Sequence, residues 1–231
     1  MMPRIKVAIL EDHLSIIDGY LFRLSRIPDI EVVATGTYGE DLQSMLDEHP
    51  VDVLLLDINI PTSLANNNPF PILYAIPRLL HKYPVLNILV ITMLNQHSLI
   101  EALVDAGVSG YILKDDQGSI KELGKIVTMV AGGGIYFSQG AYRDLRAGAT
   151  GVVLTPRQLE ALSLCASYPD NATVVLSKQL DISSSTLRNL LSGAYLRLGV
   201  RTRAAAIAKA QQLGLIPPGS QSYSDQSREV E

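Results

Sequence analysis

The sequence predicts an α/β fold, a doubly wound five-stranded parallel sheet, followed by a second, smaller all-α domain of four helices. Three observations carry this. From Ile5 to Val130, short aliphatic or β-branched runs alternate with helix-period segments, the pattern of repeated β-α units. Val53-Leu54-Leu55-Leu56 is a strand apolar on both faces, as parallel sheets require, and it ends abruptly in Asp57. Past Gly132-Gly133-Gly134 the strand signals stop and the charge changes sign.

Taken in order, the strands fall at Ile5–Leu10, Glu31–Thr35, Val53–Asp57, Ile88–Thr92 and Gly110–Leu113. Helical patterns fill the gaps at Ser15–Leu24, Glu40–His49, Ile72–His81, Ser98–Ala106 and Ser119–Val130, with Gly107 placed to be a left-handed residue after the fourth helix. One connection is unusual. Residues 58–71 hold three prolines and three consecutive asparagines, a loop well above the usual length and expected to be mobile beside the ligand crevice. Residues 133–151 read as a linker with one short helix. The second domain, 152–216, opens on Thr155-Pro156, an N-cap and first-turn proline, and continues with helices at Pro156–Ser167, Thr173–Leu180, Ser184–Leu198 and Arg203–Leu213. The polar tail, 217–231, has little to bury and is expected to be disordered.

Composition narrows the class. The chain has 231 residues, 47% of them hydrophobic, which fits two globular domains. Its early apolar run is too short and too quickly followed by Glu11-Asp12-His13 to be a signal peptide or membrane span, and its single cysteine, Cys165, allows no internal disulfide, so a cytoplasmic location is expected. The net charge of −4 hides an asymmetry. Residues 1–150 carry 11 Lys/Arg against 17 Asp/Glu, whereas residues 151–219 carry 7 against 3. An acidic front and a basic back imply two jobs, the second compatible with nucleic acid.

Asp57 alone could be a turn cap. What gives it chemistry is its company. Parallel strands bring their C-terminal ends to one edge, where open α/β sheets bind ligands. That edge gathers Glu11 and Asp12 from the first strand, Thr92 from the fourth, and Tyr111 and Lys114 from the fifth. Three close carboxylates repel unless a divalent cation sits among them, and hard oxygen ligands with room for water favour Mg²⁺ over Zn²⁺. Lys114 supplies counter-charge and Thr92 a hydroxyl. His13 stands next to this set, and a solvated or capping role is expected for it.

On these residues, 1–140 resemble the receiver domain of bacterial response regulators, a flavodoxin-like fold. The resemblance implies that Asp57 accepts a phosphoryl group from a sensor histidine kinase. It further implies that Glu11, Asp12, Asp57 and the backbone carbonyl of Asn59 hold Mg²⁺, and that Lys114 pairs with the phosphate while Thr92 and Tyr111 switch. Residues 1–132 would be the receiver. The basic end, through Leu154–Leu162, Ile182–Leu191 and Leu196–Arg203, resembles the LuxR-type helix-turn-helix, so the whole is similar to the NarL/FixJ class. That resemblance implies double-stranded DNA as a partner and a homodimer when phosphorylated or DNA-bound.

On the expected recognition helix, Ser184, Ser185, Arg188, Asn189 and Ser192 can reach base edges or phosphates, with Arg197, Arg201 and Arg203 flanking them as phosphate contacts. Leu190 stands where many relatives carry histidine, and Tyr168–Ala172 forms a longer link than usual. Both leave room for an alternative output: a receiver-controlled protein-interaction or non-specific DNA-binding module. The chain is not expected to be an enzyme, since an aspartyl-phosphate hydrolase would need a second carboxylate two residues after Asp57, and Asn59 cannot serve.

Overall fold

The computed structural model describes residues 4–147 and 152–218. The expected tail beyond Pro218 and the end of the expected linker, 148–151, lie outside them. The first domain runs β1 (Ile5–Leu10), α1 (Leu14–Leu24), β2 (Ile30–Gly36), α2 (Asp41–Glu48), β3 (Val53–Leu56), β4 (Pro61–Ser63), β5 (Asn66–Pro69) and α3 (Ile72–Lys82). It continues through β6 (Asn87–Thr92), α4 (His97–Asp105), β7 (Gly110–Leu113), α5 (Gln117–Lys121), α6 (Leu123–Ala131), β8 (Tyr136–Phe137) and α7 (Gln139–Arg146). Four helices follow: α8 (Pro156–Ser167), α9 (Thr173–Gln179), α10 (Ser184–Leu198) and α11 (Arg203–Gln212).

The main sheet has the order β2-β1-β3-β6-β7-β8, parallel throughout. All five expected strands are present, and the period-2 side chains fill two cores, one on each face. Val7, Ile9, Val53, Leu55, Leu89 and Ile91 pack towards α1 and α6. Ala8, Leu10, Leu54, Leu56, Ile88 and Val90 face α2, α3 and α4, and this core continues without a break into Leu159, Leu162, Leu176 and Leu187 of the helical domain. The two domains therefore share buried apolar surface.

Three departures from the sequence reading have physical causes. The expected helix 119–130 is two helices, parted at Glu122 (φ −95°, ψ 13°), with Asp116 capping the first through the Ser119 amide. The expected linker supplies a sixth strand: β8 pairs with Gly110 and Tyr111, and α7 packs behind it against α4. A strand of two residues carries no readable alternation. The expected mobile loop is a hairpin, β4–β5, in which Pro61 faces Pro69 and Ser63 faces Asn66. Its asparagines build it: the Asn66 side-chain oxygen accepts from the Asn68 amide and side chain, and the Thr62 hydroxyl donates to the Asn68 carbonyl.

The hairpin also docks on the helical domain. Asn66 donates to the Ser167 carbonyl at 3.0 Å, and the buried Ser167 hydroxyl lies 2.5 Å from the Pro69 carbonyl. Nearby, Arg78 of α3 reaches Glu160 of α8 at 3.3 Å and the Gln179 carbonyl at the same distance. All residues of α8 from Gln158 to Ser167 are buried, because receiver elements cover one side and α10 and α11 the other.

In the second domain the expected boundaries are close to those observed. Thr155 and Gln158 form a reciprocal capping box with Pro156 at the first turn. Ser183 caps α10 and Gly199 ends it in the left-handed region at φ 69°.

Gly110 gives the sixth strand a direct test. A Cβ there would lie 2.5 Å from the Tyr136 carbonyl oxygen, so a side chain cannot enter without parting β7 from β8. Gly110→Ala should cost about 2 kcal/mol through overpacking, read as a lowered midpoint in thermal unfolding; an unchanged midpoint would contradict the tight β7–β8 contact.

Candidate functional site

The parallel register puts four strand ends level. Leu10 stands opposite Leu56, Leu56 opposite Val90, and Thr92 opposite Leu113. The residues next along each strand, Glu11, Asp57 and Lys114, and Thr92 itself, therefore emerge at one edge. Backbone bonds continue the ladders past the strand ends: the Glu11 amide donates to Gly36, that of Asp57 to Leu10, and that of Lys114 to Thr92. The sheet fixes these residues before any side chain is considered.

At the centre is one cation between two buried carboxylates. Lys114 Nζ lies 2.7 Å from Asp57 Oδ2 and 2.7 Å from Glu11 Oε2. Glu11 is 1% exposed and Asp57 5%. Burial, then the nearby Asp57 charge, raises the Glu11 pKa above its ordinary value, with Lys114 opposing. Burial would lower the Lys114 pKa, but Asp57 and Glu11 outweigh it and the ammonium is held more firmly than usual. The other Asp57 oxygen accepts from the Asn59 amide at 3.1 Å.

Asp12 turns the other way. His13 Nδ1 sits 2.6 Å from Asp12 Oδ1 and 3.2 Å from Glu11 Oε1. Burial alone would lower the His13 pKa, yet the Asp12 and Glu11 carboxylates raise it. Ligand atoms of Glu11, Asp12 and His13 all lie within 4.8 Å of one another. His13, half exposed at the N-cap position of α1, thus also touches the acidic pair beside it.

Thr92 and Tyr111 are both fully buried. The Thr92 hydroxyl is 3.4 Å from the Leu94 amide, and the Tyr111 hydroxyl donates to the Leu94 carbonyl at 2.7 Å. Tyr111 is thereby held inward against the loop after β6, and burial raises its pKa. Asp57, Asn59, Thr92, Lys114 and His13 line a cleft of about 340 Å³, joined by Pro218 from the far end of the chain. Nothing in the sequence pattern linked Pro218 to this edge.

The donor chemistry suits a hard divalent cation. Glu11 Oε2 is buried, faces Lys114, and accepts no well-directed hydrogen bond. Glu11, Asp12 and Asp57 supply carboxylate oxygens, hard donors of the kind Mg²⁺ takes, and of these Glu11 and Asp12 approach within 4.8 Å together with His13.

On the helical domain, Ser185, Arg188, Asn189 and Ser192 lie exposed on α10, and Arg197 and Arg201 are exposed as well. Four of the expected contacts also have partners inside the domain, Ser185 among them through the Ser183 hydroxyl at 2.8 Å. Ser184 bonds Ser177 of α9 at 2.9 Å, Arg197 donates to the Val153 carbonyl, and half-buried Arg203 donates to Asn171 and Thr173. Arg203 therefore clasps the long Tyr168–Ala172 link. Leu190 is half-buried against the domain's core. Leu196, 83% exposed on α10, was not singled out from sequence.

Comparison with known proteins agrees with this geometry. The family model of the response regulator receiver domain matches residues 7–125, and the chain belongs to that family. Among individual relatives, the transcriptional regulatory protein MctR of Rhizobium johnstonii is 28% identical over 217 residues, covering 93% of this chain and 96% of that one. The transcriptional regulatory protein DesR of Bacillus subtilis is 29% identical over 210 residues, covering 91% and 98%. In fold, the chain is similar to RcsB of Salmonella enterica serovar Typhimurium bound to a promoter, with a TM-score of 0.65, 24% identity, and coverage of 89% and 98%. Among the described residues, no helix is long and apolar enough to cross a membrane.

The buried triad predicts a pH-dependent penalty. Lys114→Met leaves Glu11 and Asp57 facing each other without a counter-charge and should cost about 3 kcal/mol near neutral pH. Glu11 already has a folded-state pKa above 4.5, and the substitution raises it further. A group raised in this way stabilises the fold below its unfolded value and loses that contribution as pH rises through the folded value. The penalty should accordingly shrink as denaturation is repeated from pH 7 towards pH 4.5. A penalty that is independent of pH would contradict the triad.

Proposed function

We propose that this chain is a phosphorylation-controlled transcription regulator in which Asp57 is the phosphoacceptor. The observation that carries the reading is the Lys114 ammonium, 2.7 Å from a buried aspartate that opens into a cleft. An Asp57 carboxylate oxygen attacks the phosphorus of a phosphohistidine on a sensor kinase. The new O–P bond forms as the P–N bond breaks, and the imidazole leaves with the bonding pair and takes up a proton. Positioning and charge neutralisation suffice for such a transfer, because the transition state spreads its charge over the phosphoryl oxygens. Glu11, Asp12, Asp57 and the Asn59 carbonyl would hold Mg²⁺, which when bound would supply positive charge to offset that of the phosphoryl oxygens. Lys114 would move from Glu11 towards the phosphoryl group, and the Thr92 hydroxyl would turn from the Leu94 amide to a phosphoryl oxygen.

Residues 1–147 act as the receiver unit in this reading, since β8 and α7 complete its sheet and flank. Residues 152–216 form the output domain. Ser185, Arg188, Asn189 and Ser192 on the open face of α10 contact double-stranded DNA, with Arg201 and Arg197 on flanking phosphates. Ser184 and Arg203 then serve chiefly to hold the domain together. Leu196 offers a second copy an apolar contact, in keeping with a homodimer. The half-buried Leu190 gives no separate support to a protein-binding output.

Incubation with Mg²⁺ and a small phosphodonor should add the mass of one phosphoryl group. Asp57→Ala should abolish the gain; an equal gain in the variant would reject the assignment. In DNA titrations, Arg188→Ala should cost roughly 1–3 kcal/mol at the preferred site and little elsewhere. Arg201→Ala should weaken all sequences alike and lower the salt slope by about 1. Promoter fragments bound no better than random DNA would reject the output reading.

A further inference from the structure

We propose that His13 is a metal ligand: with Glu11 and Asp12 it forms a site for a borderline divalent cation, Zn²⁺ or Co²⁺, which competes with Mg²⁺ for the two carboxylates. That this competition restrains phosphorylation rests on Asp57 being the phosphoacceptor; the binding itself does not.

His13 occupies the N-cap position of α1, where a capping side chain would bond the free amides of the first turn. It makes no such bond. Its ring is turned back on the two preceding residues instead, with Nδ1 2.6 Å from Asp12 Oδ1 and 3.2 Å from Glu11 Oε1. The His13 amide donates to the same Glu11 oxygen at 3.3 Å, so the backbone holds that oxygen beside the ring. Three consecutive residues thus present ligand atoms that all lie within 4.8 Å of one another.

The spacing suits a small cation. Zn²⁺ takes nitrogen and oxygen at about 2.0–2.2 Å, which sets the corners of a tetrahedral site about 3.4 Å apart. The Nδ1–Oε1 separation is already close to this, and the Nδ1–Oδ1 contact has to open by about 0.8 Å. Asp12 and His13 are both partly exposed and can make that adjustment, whereas Glu11, at 1% exposure, is the fixed ligand. Glu11 also divides its oxygens. Oε2 faces Lys114 at 2.7 Å and accepts no well-directed hydrogen bond, so this buried carboxylate is short of donors. A cation on Oε1 makes up the shortfall and leaves Lys114 with Asp57.

The imidazole nitrogen selects the ion. Mg²⁺ prefers oxygen ligands and keeps its waters, whereas Zn²⁺ and Co²⁺ gain from a nitrogen. Binding requires the neutral ring with its proton on Nε2, and it leaves a fourth position for water. His13 lines the cleft with Asp57 and Lys114, so that position opens on the phosphorylation site. Because both ions need Glu11 and Asp12, each excludes the other.

The test uses the full chain. Co²⁺ added to the wild type should give the strong visible absorption of a four-coordinate site, and His13→Ser, which keeps a favoured N-cap residue, should lose it. By chelator competition, His13→Ser should bind Zn²⁺ roughly 10- to 100-fold more weakly, the scale of losing a supporting group at a metal site. Its Mg²⁺ affinity should change by less than about twofold, since Mg²⁺ relies on oxygen. A weak, water-like Co²⁺ spectrum in the wild type overturns the site, as does an unchanged Zn²⁺ affinity or an equal loss for both ions. With acetyl phosphate at fixed Mg²⁺, added Zn²⁺ should slow Asp57 phosphorylation in the wild type and far less in His13→Ser; equal inhibition overturns the competition. If neither chain takes up a phosphoryl group even without Zn²⁺, the phosphoacceptor reading fails, and the metal site stands or falls by the binding measurements.

Discussion

The Lys114 ammonium between Glu11 and Asp57 is the interaction on which the rest of the structure depends. Burial and the neighbouring Asp57 charge both disfavour the Glu11 carboxylate as an anion. One lysine at 2.7 Å from both resolves the conflict while leaving Asp57 open to the cleft. The arrangement is also poised. An arriving cation or phosphoryl group changes which oxygens Lys114 serves, so charge introduced at Asp57 must redistribute among its neighbours.

That redistribution has short routes to the helical domain. Thr92 and Tyr111 both engage Leu94, and the loop containing Leu94 leads to Gln96 and the end of the output domain. On the other side of Asp57, the chain passes through Asn59 into the β4–β5 hairpin, whose Asn66 and Pro69 bond Ser167 of α8. The strand that leads to Asp57 thus runs on into one domain contact and the strand that ends at Thr92 into another. Because the core on this face of the sheet runs on into the helical domain, a change at the site meets a packed interface with discrete arrangements.

Much of the fold was legible because strong periodicity dictated it. The five long strands, the Thr155-Pro156 helix start and the left-handed Gly107 follow from local rules that tertiary structure did not override. The site edge was legible for a related reason: parallel strands must end together, so Glu11, Asp57, Thr92 and Lys114 could be gathered without coordinates. What stayed hidden depends on long-range contact. The hairpin at 61–69 is held by side-chain-to-backbone bonds among polar residues, which carry no hydrophobic pattern. β8 is too short to alternate. Pro218 reaches the cleft only because the two domains dock. Likewise, the bonds that Arg203, expected as a phosphate contact, donates to Asn171 and Thr173 leave no mark in the sequence.

The central claim is that charge placed on Asp57 controls how α10 meets DNA. It is tested most directly by the affinity of the full chain for a preferred promoter fragment with and without phosphodonor, at fixed Mg²⁺ and salt. Coupling of about 1–3 kcal/mol predicts that phosphorylation tightens wild-type binding by roughly 5- to 150-fold and leaves Asp57→Ala unchanged. Equal wild-type affinity in both states, or an equal response in Asp57→Ala, would contradict the account.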